Sequence, residues 1–197
     1  MKNKMLLPVT GTLLLSACAV THVDPLTVPL NYTTDNRNAA QVGSLACSSV
    51  GSVQVSDART DKTLGTRLLE NKPLTAKVTT NSDVSQYVQS GVQAVMAQNG
   101  LTVGKGPTLN LALNSLNTTE TVWHRAGYDA HIALAAKLTS ASGKVCWNET
   151  IQGRGGNYGY SGSIQNYQQT VDEALANATL SMLQAQAFKD ALCQCAN

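Results

Sequence analysis

The sequence predicts an α+β fold: a two-layer sandwich with an antiparallel-rich sheet of about four strands and two helices on one face. Three observations predict it. Two segments carry apolar residues at helical spacing: Val84, Val88, Val92 and Val95 in one, and Tyr167, Val171, Ala174, Leu175, Ala178, Met182, Ala185 and Phe188 in the other. Other segments alternate apolar and polar residues at the strand period, most clearly Tyr128, Ala130, Ile132, Leu134, Ala136 and Leu138. Their order is strand, helix, three strands, helix, without an internal repeat, and two helices with one apolar stripe each can cover a single sheet face.

In chain order, Val53 and Val55 alternate with Ser52, Gln54 and Ser56, which makes residues 50–56 a strand. Residues 57–80 are polar and punctuated by Gly65 and Pro73, yet Leu64, Leu68, Leu69 and Leu74 need cover; "KPLTAKVTT" (72–80) adds a short strand. Asn81-Ser82-Asp83 opens the first helix, with Asn81 or Ser82 capping its first amides. Asn99-Gly100 ends it, and Leu101 folds back. Leu109, Leu111 and Leu113 form the next strand, whose phase slips at Asn114-Ser115, the mark of a bulge or bend. "SASG" (140–143) turns the strong central strand back onto residues 144–152, with Val145 and Trp147 inward. Residues 153–162, "GRGGNYGYSG", read as a glycine-rich loop, and Ser163 caps the long second helix.

The N-terminal residues give an address. Lys2 and Lys4 precede an apolar stretch from Met5 to Leu15, and small residues follow, which is the layout of an export signal too short to span a bilayer. Leu15-Ser16-Ala17-Cys18 resembles the lipobox of bacterial lipoproteins. That resemblance implies cleavage before Cys18, a diacylglyceryl group on its sulfur and acylation of its amine, with Ala19 implying the outer membrane. The chain then divides into a signal peptide (1–17), a lipid-anchored tether (18–46) containing Pro25, Pro29 and "NYTTDNRN", and a periplasmic α+β domain (47–197). A short edge strand near residues 26–32 fits within the tether.

Composition excludes several classes of function. The chain has 14 basic and 12 acidic side chains, and losing Lys2 and Lys4 with the signal leaves 14 − 2 = 12 against 12. A neutral chain lacks the basic stripe that nucleic acid requires. Of five cysteines, Cys18 is taken by lipid; Cys47, Cys146, Cys193 and Cys195 predict two disulfides in an oxidising compartment. A Cys193–Cys195 ring is tight and ranks last; both remaining connectivities tie the C-terminal tail to Cys47 and Cys146. Cys193-Gln194-Cys195 lacks the spacer of common zinc pairs, so no metal is expected. The histidines, His22, His124 and His131, form no ligand set, and no nucleophile motif accompanies them. The sequence therefore predicts a non-enzyme whose covalent lipid takes the place of any cofactor.

"VSDARTDKTLG" (55–65), the valine-rich helix ending in Asn99-Gly100, and "CWNETIQGRG" (146–155) before a long helix, together with the lipobox, resemble the YajG-like family of bacterial outer-membrane lipoproteins. The resemblance implies a class and a location rather than a reaction. It is weaker, at the level of architecture, to accessory lipoproteins of envelope transport machines. Asp57 and Arg59 are expected to end a strand and hold the next turn; the sharper reading gives Arg59 a partner carboxylate or phosphate to bind. Tyr158 and Tyr160 are candidate partner contacts. The expected role is a non-enzymatic binding, scaffolding or accessory subunit, attached to the membrane by lipid and partnered by another envelope protein. The alternative is a small-ligand or lipid carrier with a pocket between sheet and helices.

Overall fold

The structure, a computed structural model, describes residues 23–69, 75–122 and 125–195. Ten elements carry the fold: β1 (Leu26–Thr27), β2 (Ser49–Asp57), β3 (Gly65–Leu69), β4 (Thr75–Thr79), α1 (Val84–Gln98), β5 (Thr102–Val122), β6 (Ala126–Thr139), β7 (Val145–Gly159), α2 (Ile164–Gln184) and α3 (Gln186–Cys195). A 3-10 turn, Asn36–Asn38, precedes β2. The strands make one 7-stranded sheet in the order β1-β4-β3-β5-β6-β7, with β2 also beside β5.

This sheet is larger than about four strands, and it is mixed rather than antiparallel-rich. The pairs β1–β4, β2–β5 and β3–β5 are parallel; β3–β4, β5–β6 and β6–β7 are antiparallel. The physical reason is the length of β5, which spans 21 residues. β2 lies along its first half, with Val53 opposite Leu109, and β3 along its second half, with Leu68 opposite Thr121. The bulge expected at Asn114-Ser115 is present as a register shift between Leu113 and Ser115. The strand continues past it. Leu116, Thr118, Glu120 and Val122 return to the buried side that holds Leu109, Leu111 and Leu113.

The helices all pack on that side, giving the two layers expected, with three helices instead of two. α1 is capped by Asp83, which accepts from the Gln86 N–H, and not by Asn81 or Ser82. Ser82 is otherwise engaged: its hydroxyl accepts from the Leu30 N–H. α2 begins at its expected cap, Ser163, and breaks at Ala185, where ψ is 122°. The break lets α3 bring Phe188 edge-on against Trp147, ring centroids 5.1 Å apart. Trp147 faces inward as expected, whereas Val145 is exposed.

Of residues 153–162, expected as a loop, 153–159 continue β7 and only 160–162 turn. The glycines serve close approach. A Cβ on Gly153 would overlap the Ala174 carbonyl oxygen and the Ala178 nitrogen, and one on Gly155 the Thr170 carbonyl oxygen. The α2 backbone therefore lies directly on β7.

The tether expected over 18–46 also needs correction in its described part. Val28, Leu30 and Val42 are buried in the main core, and β1 adds to the sheet beside β4. The short edge strand expected near residues 26–32 is present as β1, and Leu26, Val28 and Leu30 alternate along this segment. Two disulfides close the far end of the domain. Cys47 pairs with Cys193 and Cys146 with Cys195, Cα atoms 5.3 and 5.9 Å apart, so the C-terminal tail is tied to both expected partners.

Candidate functional site

The sheet has two unlike ends. The disulfides lie where β5 begins; where β5 finishes, a buried charge sits beneath an exposed turn. Glu120, on the inward phase of β5, has no solvent exposure. Its Oε2 accepts from the Arg67 Nε of β3 at 2.6 Å and from the Tyr167 hydroxyl of α2 at 2.9 Å. Its Oε1 accepts from the Ser161 hydroxyl at 2.8 Å and the Gly162 N–H at 2.7 Å. Burial pushes this carboxyl upward, but the hydrogen bonds from Arg67, Gly162, Ser161 and Tyr167 outweigh it, so it titrates below its ordinary range. Tyr167 moves the other way, raised by burial and by the adjacent Glu120 charge.

The cluster holds the turn between β7 and α2. The Tyr128 hydroxyl donates to the Tyr160 carbonyl, and accepts from the Ser163 N–H at 3.1 Å. Arg67 reaches the Ser161 hydroxyl through Nη2 at 3.1 Å and the Asp24 carbonyl through Nη1 at 2.7 Å. Its guanidinium thus joins the entering N-terminal segment to the turn. Above it, Tyr158 is 75% and Tyr160 90% exposed, and Ile164, the first residue of α2, is also exposed. Register places Leu68, Thr121, Gly127 and Tyr158 in one row across four strands on the side without helices. The Tyr158 ring lies over Gly127, where a Cβ would be 3.6 Å from the ring. An open cleft of about 410 Å³ beside this ring includes Arg125, Asp129 and Asn157.

A second cluster fastens the N-terminal segment to the helices. Asp172 of α2 accepts from the Tyr87 hydroxyl at 2.6 Å and the Thr33 N–H at 3.1 Å. Burial raises its carboxyl to about 6, although both hydrogen bonds oppose the shift. It lines an open polar cleft of about 690 Å³ with Thr33, Asp35, Arg37, Asn157 and Glu173. An acid whose folded pKa is raised favours the folded state while protonated. Stability from this group is therefore full below about pH 4 and is lost as pH rises through about 6, an effect of about 2 kcal/mol after allowing for the open cleft. Asp172→Asn is expected to remove that dependence. Equilibrium urea melts at pH 4.5 and 7.5 would show it as a smaller difference than in the wild type.

Arg59 is not available to a partner. It is 5% exposed; Nε and Nη2 bind the two Asp57 carboxylate oxygens at 2.9 Å, and Nη1 binds the Thr63 carbonyl at 3.1 Å. The partner-binding reading gives way to the turn-holding one, because the strand end places Arg59 within reach of its own neighbour at i − 2. The hydrogen bond from Arg59 holds Asp57 down to about 2. His131 lies on the open side of β6, opposite Asn117 and Arg154. Among the described residues no group of His, Cys, Asp and Glu that could hold a metal is found. Cys18, His22 and His124 lie outside the described residues.

Glu120, Arg67 as its partner, and Asp172 escape the sequence reading. One signal could have found Glu120: a charged residue at an inward strand position, visible once β5 is carried past its bulge in the phase Leu116, Thr118, Glu120, Val122.

The fold and this site define a two-layer α+β domain whose buried charge holds a surface turn in place. The model of a family described as "Uncharacterized lipoprotein" matches residues 37–192, and the chain belongs to that family. It is thereby a protein of the membrane-anchored, envelope type. Comparison with the curated proteins finds no match. Among solved structures, protein XCC0632 from Xanthomonas campestris is similar at 14% identity and a TM-score of 0.49, over 86% of this chain and 96% of that one. A second, titled only as an uncharacterized protein, is 12% identical with a TM-score of 0.31, over 82% and 95% of the two chains.

Proposed function

We propose that this chain is a YajG-like lipoprotein held by acyl chains on Cys18 at the periplasmic face of the outer membrane. There it serves as a non-enzymatic accessory subunit that binds another envelope protein. The observation that carries this reading is the bare side of the sheet. Three neighbouring strands, β5, β6 and β7, present Asn110, Ser115, Asn117, Thr119, His131 and Gln152 there with no helix over them. Such a surface is broad and rich in hydrogen-bonding groups, features that suit a polar protein interface.

No described helix is long and apolar enough to cross a membrane, and attachment in this reading is by lipid alone. Asp24, whose carbonyl Arg67 holds, follows Cys18 by six positions, which limits the reach to about 20 Å. The carrier alternative has less support. The α2 backbone rests on Gly153 and Gly155, so that part of the layer boundary where a ligand would lie is filled.

Two experiments test the reading. Palmitate labelling is expected in the wild type and lost in Cys18→Ala; label retained in the variant, or absent from both, removes the anchor. A photo-crosslinking residue at Asn117 is expected to give one discrete adduct with an envelope protein, abolished by Thr119→Arg. No adduct from Asn117 or from His131 would count against an accessory role.

A further inference from the structure

We propose that the tyrosine-bearing end of the domain, Leu68, Tyr158, Tyr160 and Ile164, rests in the headgroup layer of the bilayer to which the chain is anchored. The inference relies on the lipid on Cys18 and adds the orientation of the whole domain. It begins from where the chain enters the fold. The Asp24 carbonyl is bound by Arg67, and the same guanidinium binds Ser161, the residue after Tyr160. Val23 packs with Leu69, Ala76 and Val122, residues on strands β3, β4 and β5 at this same end. Asp24 follows Cys18 by six positions, a span of at most about 20 Å when fully extended. The acyl chains are therefore held within a short leash of the exposed turn, and no other described part of the molecule is tethered so closely.

The chemistry of this end fits that neighbour. Of the six large apolar side chains most exposed on the described surface, four are here; Val103 and Val145 are at the opposite end of β5 and β7. Tyrosine is suited to the zone between headgroups and acyl chains, because its ring is apolar and its hydroxyl remains hydrated. Arg125, beside Tyr158, can meet lipid phosphates. The end is also rigid. The Glu120 cluster fixes the turn from below through Ser161 and Gly162, so little side-chain and loop entropy remains to be lost when the surface settles. With this end down, the disulfide end points away from the membrane and the bare side of the sheet stands upright, open to a protein partner.

The test uses lipidated full-length protein, its acyl chains confirmed by intact mass, in vesicles of phosphatidylethanolamine and phosphatidylglycerol. A benzoylphenylalanine at position 160 is expected to form lipid adducts on illumination, at least about fivefold more than one at position 103. Equal yields, or none at 160, would overturn the proposal while leaving the anchor intact. The Cys18→Ala protein separates the two ideas. In flotation with the same vesicles it should bind weakly, and Tyr158→Ser with Tyr160→Ser should cut that binding about fivefold. Binding unchanged by the pair of substitutions would overturn the membrane role of the tyrosines. So would a protein adduct from position 160 in whole envelopes in place of lipid ones.

Discussion

Glu120→Ala is expected to cost about 3–5 kcal/mol of stability, the range for breaking a buried ion pair by removing one partner. The loss exceeds that of one hydrogen bond because four donors share this carboxylate: Arg67, Tyr167, Ser161 and the Gly162 N–H. Removing it leaves a guanidinium about one-tenth exposed and without its counter-charge. For a domain of this size the melting temperature should fall by about 10 °C. Amide exchange at Gly162 and proteolysis around Tyr160 should accelerate more than exchange in the centre of β6, because the turn loses its support first. A change in stability below about 1 kcal/mol would mean that the cluster is not the clamp described. The pH dependence provides an independent check. Glu120 titrates below its ordinary range when folded, so its contribution is present at neutral pH and fades as pH falls below about 4.5. This sign is opposite to that of Asp172, and removing each acid should flatten a different limb of the stability profile.

The second large effect concerns the disulfides. Cys47→Ala with Cys193→Ala is expected to cost about 3–5 kcal/mol, since the bridge joins positions 146 residues apart and restricts much of the unfolded chain. The Cys146–Cys195 bridge spans 49 residues and should be worth about 1 kcal/mol less by the same reasoning. The short α3 depends on both. A helix of 10 residues is marginal alone, and here it is held by Phe188, Leu192 and two covalent links. Non-reducing peptide maps should yield the 47–193 and 146–195 pairs; free thiols at all four positions, or a 47–146 pair, would refute the arrangement.

Much of the layer architecture was legible. The faces of α1 and α2 follow from valine and alanine spacing, and β6 from alternation over eleven residues, because a helix or strand buried on one side writes its period into the chain. The bulge in β5 was legible for the same reason. The glycines of β7 were misread as a loop. Composition records their flexibility, but their use is steric, and only the approach of the α2 backbone shows it. The parallel strands β2 and β3 were legible only in part, since β3 has five residues, one of them glycine and one a buried arginine. Arg59 and Arg67 illustrate the limit. Arg59, just past the end of β2, has its partner Asp57 two residues away and in view, whereas Arg67 within β3 meets Glu120 across 53 residues, which no local pattern announces.

By itself the sequence determined the two-layer class and the faces each element buries, because these depend on local composition and on periods of two or three to four residues. Tertiary structure alone decided the mixed topology, the pairing of the cysteines, and the meeting of Glu120 with Arg67 beneath the tyrosine turn. Those features join residues far apart in the chain, and long-range pairing is selected by how all the buried surfaces fit at once, which no single segment encodes.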